Sequence, residues 1–235
     1  MPAAKTKKRG YLVAIDGPAG AGKSTVSKKL AEALLGKLLD TGAMYRGVAY
    51  HSVKKNLDSE NELASIARSL GFRAKRNSSV ILVNGKDLGQ KLRTERVSER
   101  ASAVSLYKSV RKILTQRQRE LAWRWARRVP VIVEGRDIGT VVFPDAPFKF
   151  FVTADAKVRA KRRLEQLKKN GFRGTTLKQV LKQNEKRDKQ DSTRRHAPLR
   201  CAEDAIVVDT SSMDIGQVVH FMEDHIRGRL KLARR

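Results

Sequence analysis

Short runs of β-branched and aromatic residues alternate along this chain with longer stretches whose apolar positions recur every three or four residues. Tyr11–Ile15, Val131–Glu134, Phe148–Val152 and Ala205–Val208 are such runs, each followed by a turn carrying Asp, Gly or Ser. Short continuous apolar runs of this kind predict strands buried on both faces. Ser24–Leu35 carries Val26, Leu30, Ala33 and Leu34 at helical spacing, with Gly36 placed to end the helix. Val110, Ile113, Leu114, Leu121 and Trp125 share one face of a long basic helix. Val158, Leu164 and Leu167 suggest another, and Val218, Val219, Met222 and Ile226 a last one. Strands alternating with helices predict an α/β fold, a parallel sheet flanked by helices on both faces. One segment breaks the rhythm: Val80–Val83 runs into Asn84-Gly85, a strong hairpin-turn signal, so residues 64–93 are expected to form a small antiparallel insert.

Length and composition narrow the class. The 235 residues suit one sizeable core with a small inserted subdomain. No apolar run approaches the ~18 residues that span a bilayer, so no membrane association is expected. Lys5–Arg9 followed by Tyr11–Ile15 has the outline of a signal peptide, but the apolar stretch is too short and Asp16 ends it. Cys201 is the single cysteine, which excludes an internal disulfide or thiolate cluster and points to a reducing cytoplasm. His51, His196, His220 and His225 show no metal-ligand spacing.

The net charge of +27 calls for an anionic partner. Residues 157–200 hold 16 Lys/Arg against 4 Asp/Glu. Both tails, residues 1–10 and 228–235, are basic as well: Lys5, Lys7, Lys8 and Arg9 at one end, Arg229, Lys231, Arg234 and Arg235 at the other. The tails read as solvated termini, with nucleic-acid binding as the alternative.

The chemistry-bearing motif is Gly17-Pro18-Ala19-Gly20-Ala21-Gly22-Lys23-Ser24, set between a buried strand and a helix. This is a complete P-loop, in which Gly17 and Gly22 permit tight backbone angles and successive N–H groups converge on phosphate oxygens. Lys23 can reach the β- and γ-phosphates, the Ser24 hydroxyl can ligate Mg²⁺, and the helix start adds its positive end. The loop names a phosphate donor and leaves the acceptor open. An Asn-Lys-x-Asp guanine-reading motif is missing, and arginines are plentiful, which favours a small-molecule kinase. Asp40-Thr41-Gly42-Ala43-Met44-Tyr45-Arg46 and Glu134-Gly135-Arg136-Asp137-Ile138-Gly139-Thr140 each follow a strand, at the sheet edge where α/β folds bind ligands.

Taken together, Gly17–Thr25, Asp40–Arg46, Glu134–Ala146 and Arg187-Asp188 through Ser192-Thr193-Arg194 to Ala197-Pro198-Leu199 resemble bacterial cytidylate kinases. The Gly-Arg-Asp-Ile-Gly-Thr-Val-Val-Phe-Pro-Asp-Ala run is particularly characteristic, and the resemblance extends from Tyr11 to about Ile226. It implies a P-loop NTPase-type core over residues 11–63 and 94–227 with a mobile basic lid near 170–200. The insert at 64–93 would help bind the nucleoside monophosphate. It implies transfer of the ATP γ-phosphate to CMP or dCMP; a monomer is the default expectation.

The resemblance also assigns residues. ATP would be held by Gly17, Pro18, Ala19, Gly20, Ala21, Gly22, Lys23, Ser24 and Thr25. Phosphate-clamping arginines fall on Arg46, Arg136 and Arg194. Cytosine-reading residues fall on Ser102, Arg111 and Asp137, a set whose carboxylate accepts from the exocyclic amine while Arg and Ser donate to ring nitrogen and carbonyl. Arg187 and Asp191 match the sugar-contacting pair, and Thr41 and Tyr45 match further lining positions. Lys23, Arg136, Arg187 and Arg194 would be the catalytic cations. Lys189-Gln190 departs from relatives that place acidic residues and arginine there, so Arg187, Lys189 and Arg194 are the candidates to reach the transferring phosphoryl group.

Overall fold

In the computed structural model, which describes residues 10–75, 80–169, 171 and 174–232, the apolar runs form a single parallel sheet. The basic positions Lys5–Arg9, Arg234 and Arg235 lie outside the described residues. Five strands, β1 (Leu12–Asp16), β2 (Lys37–Asp40), β5 (Val131–Glu134), β6 (Phe148–Thr153) and β7 (Ile206–Asp209), stand in the order β2-β5-β1-β6-β7. β1 is central, all five of its residues are buried, and it pairs in parallel with β5 on one side and β6 on the other.

The period of two splits β1 between two cores. Leu12 and Ala14 face a cluster with Leu39, Met44, Val48, Leu63, Val110, Leu114, Val131 and Val133. Val13 and Ile15 face the opposite one, with Val26, Leu30, Ile132, Phe150, Met222 and Ile226. Helices α2 (Thr41–Lys55), α3 (Glu60–Ser69), α4 (Glu95–Val104) and α5 (Lys108–Ala126) therefore cover one face. Helices α1 (Lys23–Ala33) and α8 (Ile215–Leu232) cover the other.

The first helix ends differently from expectation. Leu35, at φ 51, takes the left-handed position, and the Gly36 N–H donates to Ala31 O at 2.7 Å. Gly36 is needed for room: a Cβ there would lie 2.6 Å from the Pro130 carbonyl oxygen.

The antiparallel departure is present. β3 (Phe72–Ala74) pairs with β4 (Ile81–Val83), and Asn84-Gly85, both at positive φ, fold Lys86 back onto Val83. Phe72, Ile81 and Val83 are buried in the same cluster as one face of the main sheet. Residues 156–193 are almost wholly helical: α6 (Ala156–Lys169) and α7 (Leu177–Thr193) pack together, and α7 opens with a Thr176–Gln179 capping box. The stretch from Asp188 to Asp191, within the basic lid that the resemblance implies, lies on α7.

The sheet's C-terminal edge carries two tight features. Gly17 has φ 143, and a Cβ there would fall 2.0 Å from the Val152 carbonyl oxygen on β6. Asp16, the last residue of β1, is buried, and its two carboxylate oxygens accept the Ile138 and Gly139 N–H groups at 2.8 and 2.7 Å. Those amides open the π-helical turn Ile138–Val142 after β5, so β1 fixes the position of that turn directly. Burial pushes the Asp16 carboxyl up to about 6, against the pull of those two amides.

Two measurements check this edge. Gly17→Ala adds a Cβ against immovable backbone at a left-handed angle, and should lower stability by at least about 3 kcal/mol in urea denaturation. Asp16 holds a proton in the folded chain that the unfolded chain has already released above its ordinary value of 3.8. Its contribution to stability therefore falls as pH rises towards about 6. From about pH 4.5 to about pH 7 the stability difference between wild type and Asp16→Asn should move by about 2 kcal/mol in favour of the Asn variant. A pH-independent difference would contradict this.

Candidate active site

The P-loop leaves β1 and enters α1 at Gly22, whose φ of 85 places it left-handed at the cap. No side chain caps α1 and its first turn carries no acidic residue, so the N-terminal amides stay available to an anion. Lys23 is 4% exposed and its Nζ donates to Pro18 O at 2.5 Å. Burial first, and then Arg136, hold its ammonium well below the usual lysine range, with Glu134 opposing. Such a lysine is poorly compensated by protein alone. The Ser24 hydroxyl donates to Glu134 Oε1 at 2.8 Å, while Glu134 Oε2 is buried with no hydrogen-bond partner. Burial and then Asp40 raise the Glu134 carboxyl.

Across from the loop, Asp40 caps α2 by accepting the Ala43 N–H at 2.9 Å, and its other oxygen holds Arg46 Nη2 at 2.7 Å. Thr41 donates its hydroxyl to the Glu134 carbonyl oxygen at 2.7 Å, tying α2 to the end of β5. Gly135 must be glycine for this approach, because a Cβ would lie 2.9 Å from Thr41 Oγ1 and closer still to Ile138.

Beyond β5 the buried charges interlock. Asp137 Oδ2 accepts from Arg111 Nη2 at 2.6 Å and Oδ1 from Arg194 Nη2 at 3.2 Å. Asp191 accepts from Arg136 Nε at 3.1 Å and lies 3.5 Å from Arg194 Nη1. Arg111 also stacks over the Tyr45 ring at 5.6 Å and donates to Ser105 O at 3.1 Å. Burial pushes the Tyr45 hydroxyl up to about 12 and pulls Arg187 down to about 10, the latter helped by Arg136. Arg46 Nε, Arg187 Nε and Ser102 Oγ are buried without hydrogen-bond partners. Three polar groups from three helices thus carry unmet donors at one place, which a polar ligand can satisfy.

All these groups line one cleft of about 600 Å³. It is bordered by Ala19–Ser24 and Thr25 at one end, and at the other by Thr41, Tyr45, Arg46, Ser102, Arg111, Arg136, Asp137, Arg187, Asp191 and Arg194. Gly17 and Pro18 shape the loop from outside it. Lys189 is exposed and does not line the cleft, leaving Arg187 and Arg194 of the three candidate lid cations.

The structure adds residues that pattern-reading overlooked. Arg93, Arg162, Arg163 and Asn184 also line the cleft, and Asn184 Nδ2 is buried without a partner. Among the described charged residues on its walls, ten are cationic and five anionic. That surplus, held in low-dielectric surroundings, suits two phosphate-bearing molecules bound together. The spacing of Asn184, Arg187, Asp191 and Arg194 at three and four residues was the available signal for α7. It escapes a search for helices by apolar periodicity, since these inward-facing residues are polar.

No group of three or more His, Cys, Asp or Glu side chains able to hold a metal occurs among the described residues. Among the same residues, no helix is long and apolar enough to cross a membrane.

The cytidylate kinase family model matches residues 13–227. A cytidylate kinase from Citrifermentans bemidjiense is 41% identical over 228 residues, covering 95% of this chain and 96% of that protein. Cytidylate kinases from Geobacter sulfurreducens, 42% identical over 94% of this chain and 95% of theirs, and Halalkalibacterium halodurans, 41% identical over 93% and 98%, are similar along the whole length. With its P-loop and arginine cleft on one parallel sheet and near-complete coverage at this identity, the chain belongs to the cytidylate kinase family.

Proposed function

We propose that this cleft transfers the γ-phosphoryl group of ATP to CMP or dCMP, giving ADP and CDP or dCDP. The observation that carries the reading is the placement of the P-loop and the Arg136-Asp137 turn at the ends of adjacent parallel strands, opening into one cleft. The loop amides from Gly20 to Thr25 and Lys23 hold the donor's phosphates; Arg46, Arg136 and Arg194 clamp the acceptor phosphate as guanidinium forks. Lys23, Arg136, Arg187 and Arg194 then face the group in transit. Arg187 and Asp191 suit sugar hydroxyls, which donate and accept, and Thr41 and Tyr45 shape the acceptor end.

Base recognition falls to Asp137, with Arg111 and Ser102. Both Asp137 oxygens already accept from arginines, yet each carboxylate oxygen has a second lone-pair direction for the cytosine amine. Uracil presents a carbonyl there, which a carboxylate repels. The Ser102 hydroxyl, buried with no partner, is an available donor.

The nucleophile is a phosphate oxygen of CMP. Its second pKa is about 6, so at neutral pH it attacks without a general base. The new P–O bond forms as the bond to the bridging β,γ-oxygen breaks, through a loose transition state that needs positioning and charge neutralisation above all. Ser24 and Glu134, whose Oε2 lacks a partner, offer hard oxygen donors that fit Mg²⁺, an ion usually held by one or two carboxylates plus phosphates. When bound, the ion neutralises charge on the donor's phosphates. The pair α6–α7 would act as the lid, excluding water as it closes. The exposed, free Cys201 fits a cytoplasmic enzyme.

A steady-state panel of nucleoside monophosphate acceptors tests the reading. Asp137→Ala should lower kcat/KM for CMP about 10- to 100-fold more than for UMP, the worth of a buried charge-assisted hydrogen bond. Equal losses for both acceptors would remove Asp137 from base recognition. Arg136→Ala should cost about 2–4 kcal/mol in kcat/KM, and a near-wild-type rate would make Arg136 structural.

A further inference from the structure

Helix α7 carries two carboxylates one turn apart that reach to opposite ends of the cleft. Asp191 holds Arg136 and Arg194 at the acceptor end. Asp188, three residues earlier, turns to the P-loop and accepts the Ala19 N–H at 2.9 Å. It also pairs with Arg159 of α6. Arg159 in turn donates from Nη1 to the Ala19 carbonyl oxygen and from Nε to the Ala154 carbonyl oxygen, both at 2.9 Å. Ala19 is thus gripped on both its polar groups by side chains from the two helices above it. The approach is close: a Cβ on Gly20 would lie 2.8 Å from the Arg159 carbonyl oxygen.

Neither Asp188 nor Arg159 lines the cleft, so neither is placed to touch a nucleotide. Both are largely buried, with side-chain exposures of 19% and 11%, so their pairing is weakly screened by solvent. A helical turn is stiff, because its i to i−4 hydrogen bonds fix the spacing of Asp188 and Asp191 along the axis. Any movement of α7 that accompanies a change at Asp191 must therefore reach the Ala19 peptide.

We propose that Asp188 and Arg159 are positioning residues that couple occupancy of the acceptor end to the shape of the phosphate-donor loop. This rests on the reading of Arg136, Arg194 and Asp191 as acceptor contacts. An acceptor phosphate drawing Arg136 and Arg194 towards itself loosens their hold on Asp191, and α7 settles into a new position. Through Asp188 the Ala19 peptide follows, and the loop amides adopt the arrangement that binds the triphosphate more tightly. By linkage, the donor must tighten acceptor binding by the same factor.

The test is a binding square on the full chain, with the non-hydrolysable ATP analogue AMP-PNP titrated by calorimetry alone and with saturating CMP. Wild type should bind the analogue at least about fivefold more tightly when CMP is present, the lower range of ordinary coupling energies. In Asp188→Ala and in Arg159→Gln that factor should fall to near one, while CMP affinity measured alone stays at the wild-type value. Asp188→Asn keeps an acceptor for the Ala19 N–H and loses the ion pair, so it should restore part of the coupling. Should Asp188→Ala fail to fold by circular dichroism, Arg159→Gln carries the test, because it leaves the α7 carboxylates intact. An unchanged coupling factor in a folded variant, or no coupling in wild type, would overturn the proposal. Failure of the underlying site reading shows separately, as unaltered CMP affinity in Arg136→Ala.

Discussion

The site depends on keeping arginines and a lysine charged after most of their water has been removed. A buried guanidinium without a counter-charge costs several kcal/mol, and here Arg136 and Arg187 act on Lys23 while Arg111 and Arg194 crowd beside them on the same cleft wall. Asp137 and Asp191 make this tolerable by sitting between the cations, each shared by two arginines. The neutralisation is deliberately incomplete: orphaned nitrogens on Arg46 and Arg187 and a strongly destabilised Lys23 ammonium leave attraction to be satisfied by phosphate. Electrostatic attraction withheld from the folded protein in this way becomes attraction for the substrates.

The fold supports that arrangement from beneath. Asp16 and Thr41 use their polar atoms to tie the β1, β5 and α2 ends to one another, so that the phosphate loop, the Arg136-Asp137 turn and Arg46 have a common base. Thr41 bonds the last carbonyl of β5, and Asp16 bonds the amides that open the turn beyond it, so both anchors use main-chain partners. Helices α6 and α7, by contrast, bury few apolar side chains, with Ala160 the sole fully buried residue of α6 and Val180 the sole buried apolar one of α7. Polar contacts such as Arg162 to Thr210 and Asp188 to Ala19 tie them to the rest of the chain, so they are the elements least fixed by apolar burial.

Much of this was legible in the residues. Short continuous apolar runs placed β1, β5, β6 and β7, and period-3.6 patterns the amphipathic helices, because those elements bury apolar side chains. The P-loop announced itself, since its glycines answer to a local backbone requirement. That Arg46, Arg136, Asp137 and Arg194 meet in one cleft needed the family resemblance, as no spacing rule distinguishes a cleft arginine from a surface one. Helix α7 is not among the helices that apolar periodicity reveals, because its inward face is built from Asn184, Arg187, Asp191 and Arg194. Asp188, Arg159 and Asp16 were silent for another reason. Apart from the Ala154 carbonyl beside Arg159, their partners lie 29 to 169 positions away and include main-chain atoms, which carry no sequence identity.

The register of β1 against β5 has a wider meaning. Ile15 stands opposite Glu134, so the first residue of the phosphate loop and the first of the acceptor turn emerge side by side. Their separation is one inter-strand spacing, ~4.8 Å, set by main-chain hydrogen bonds that no side-chain replacement alters. The sheet therefore acts as a ruler between the two chain segments that open into the cleft. Side chains on the Arg136-Asp137 turn and its facing helices can be exchanged while the spacing of those two segments is inherited unchanged.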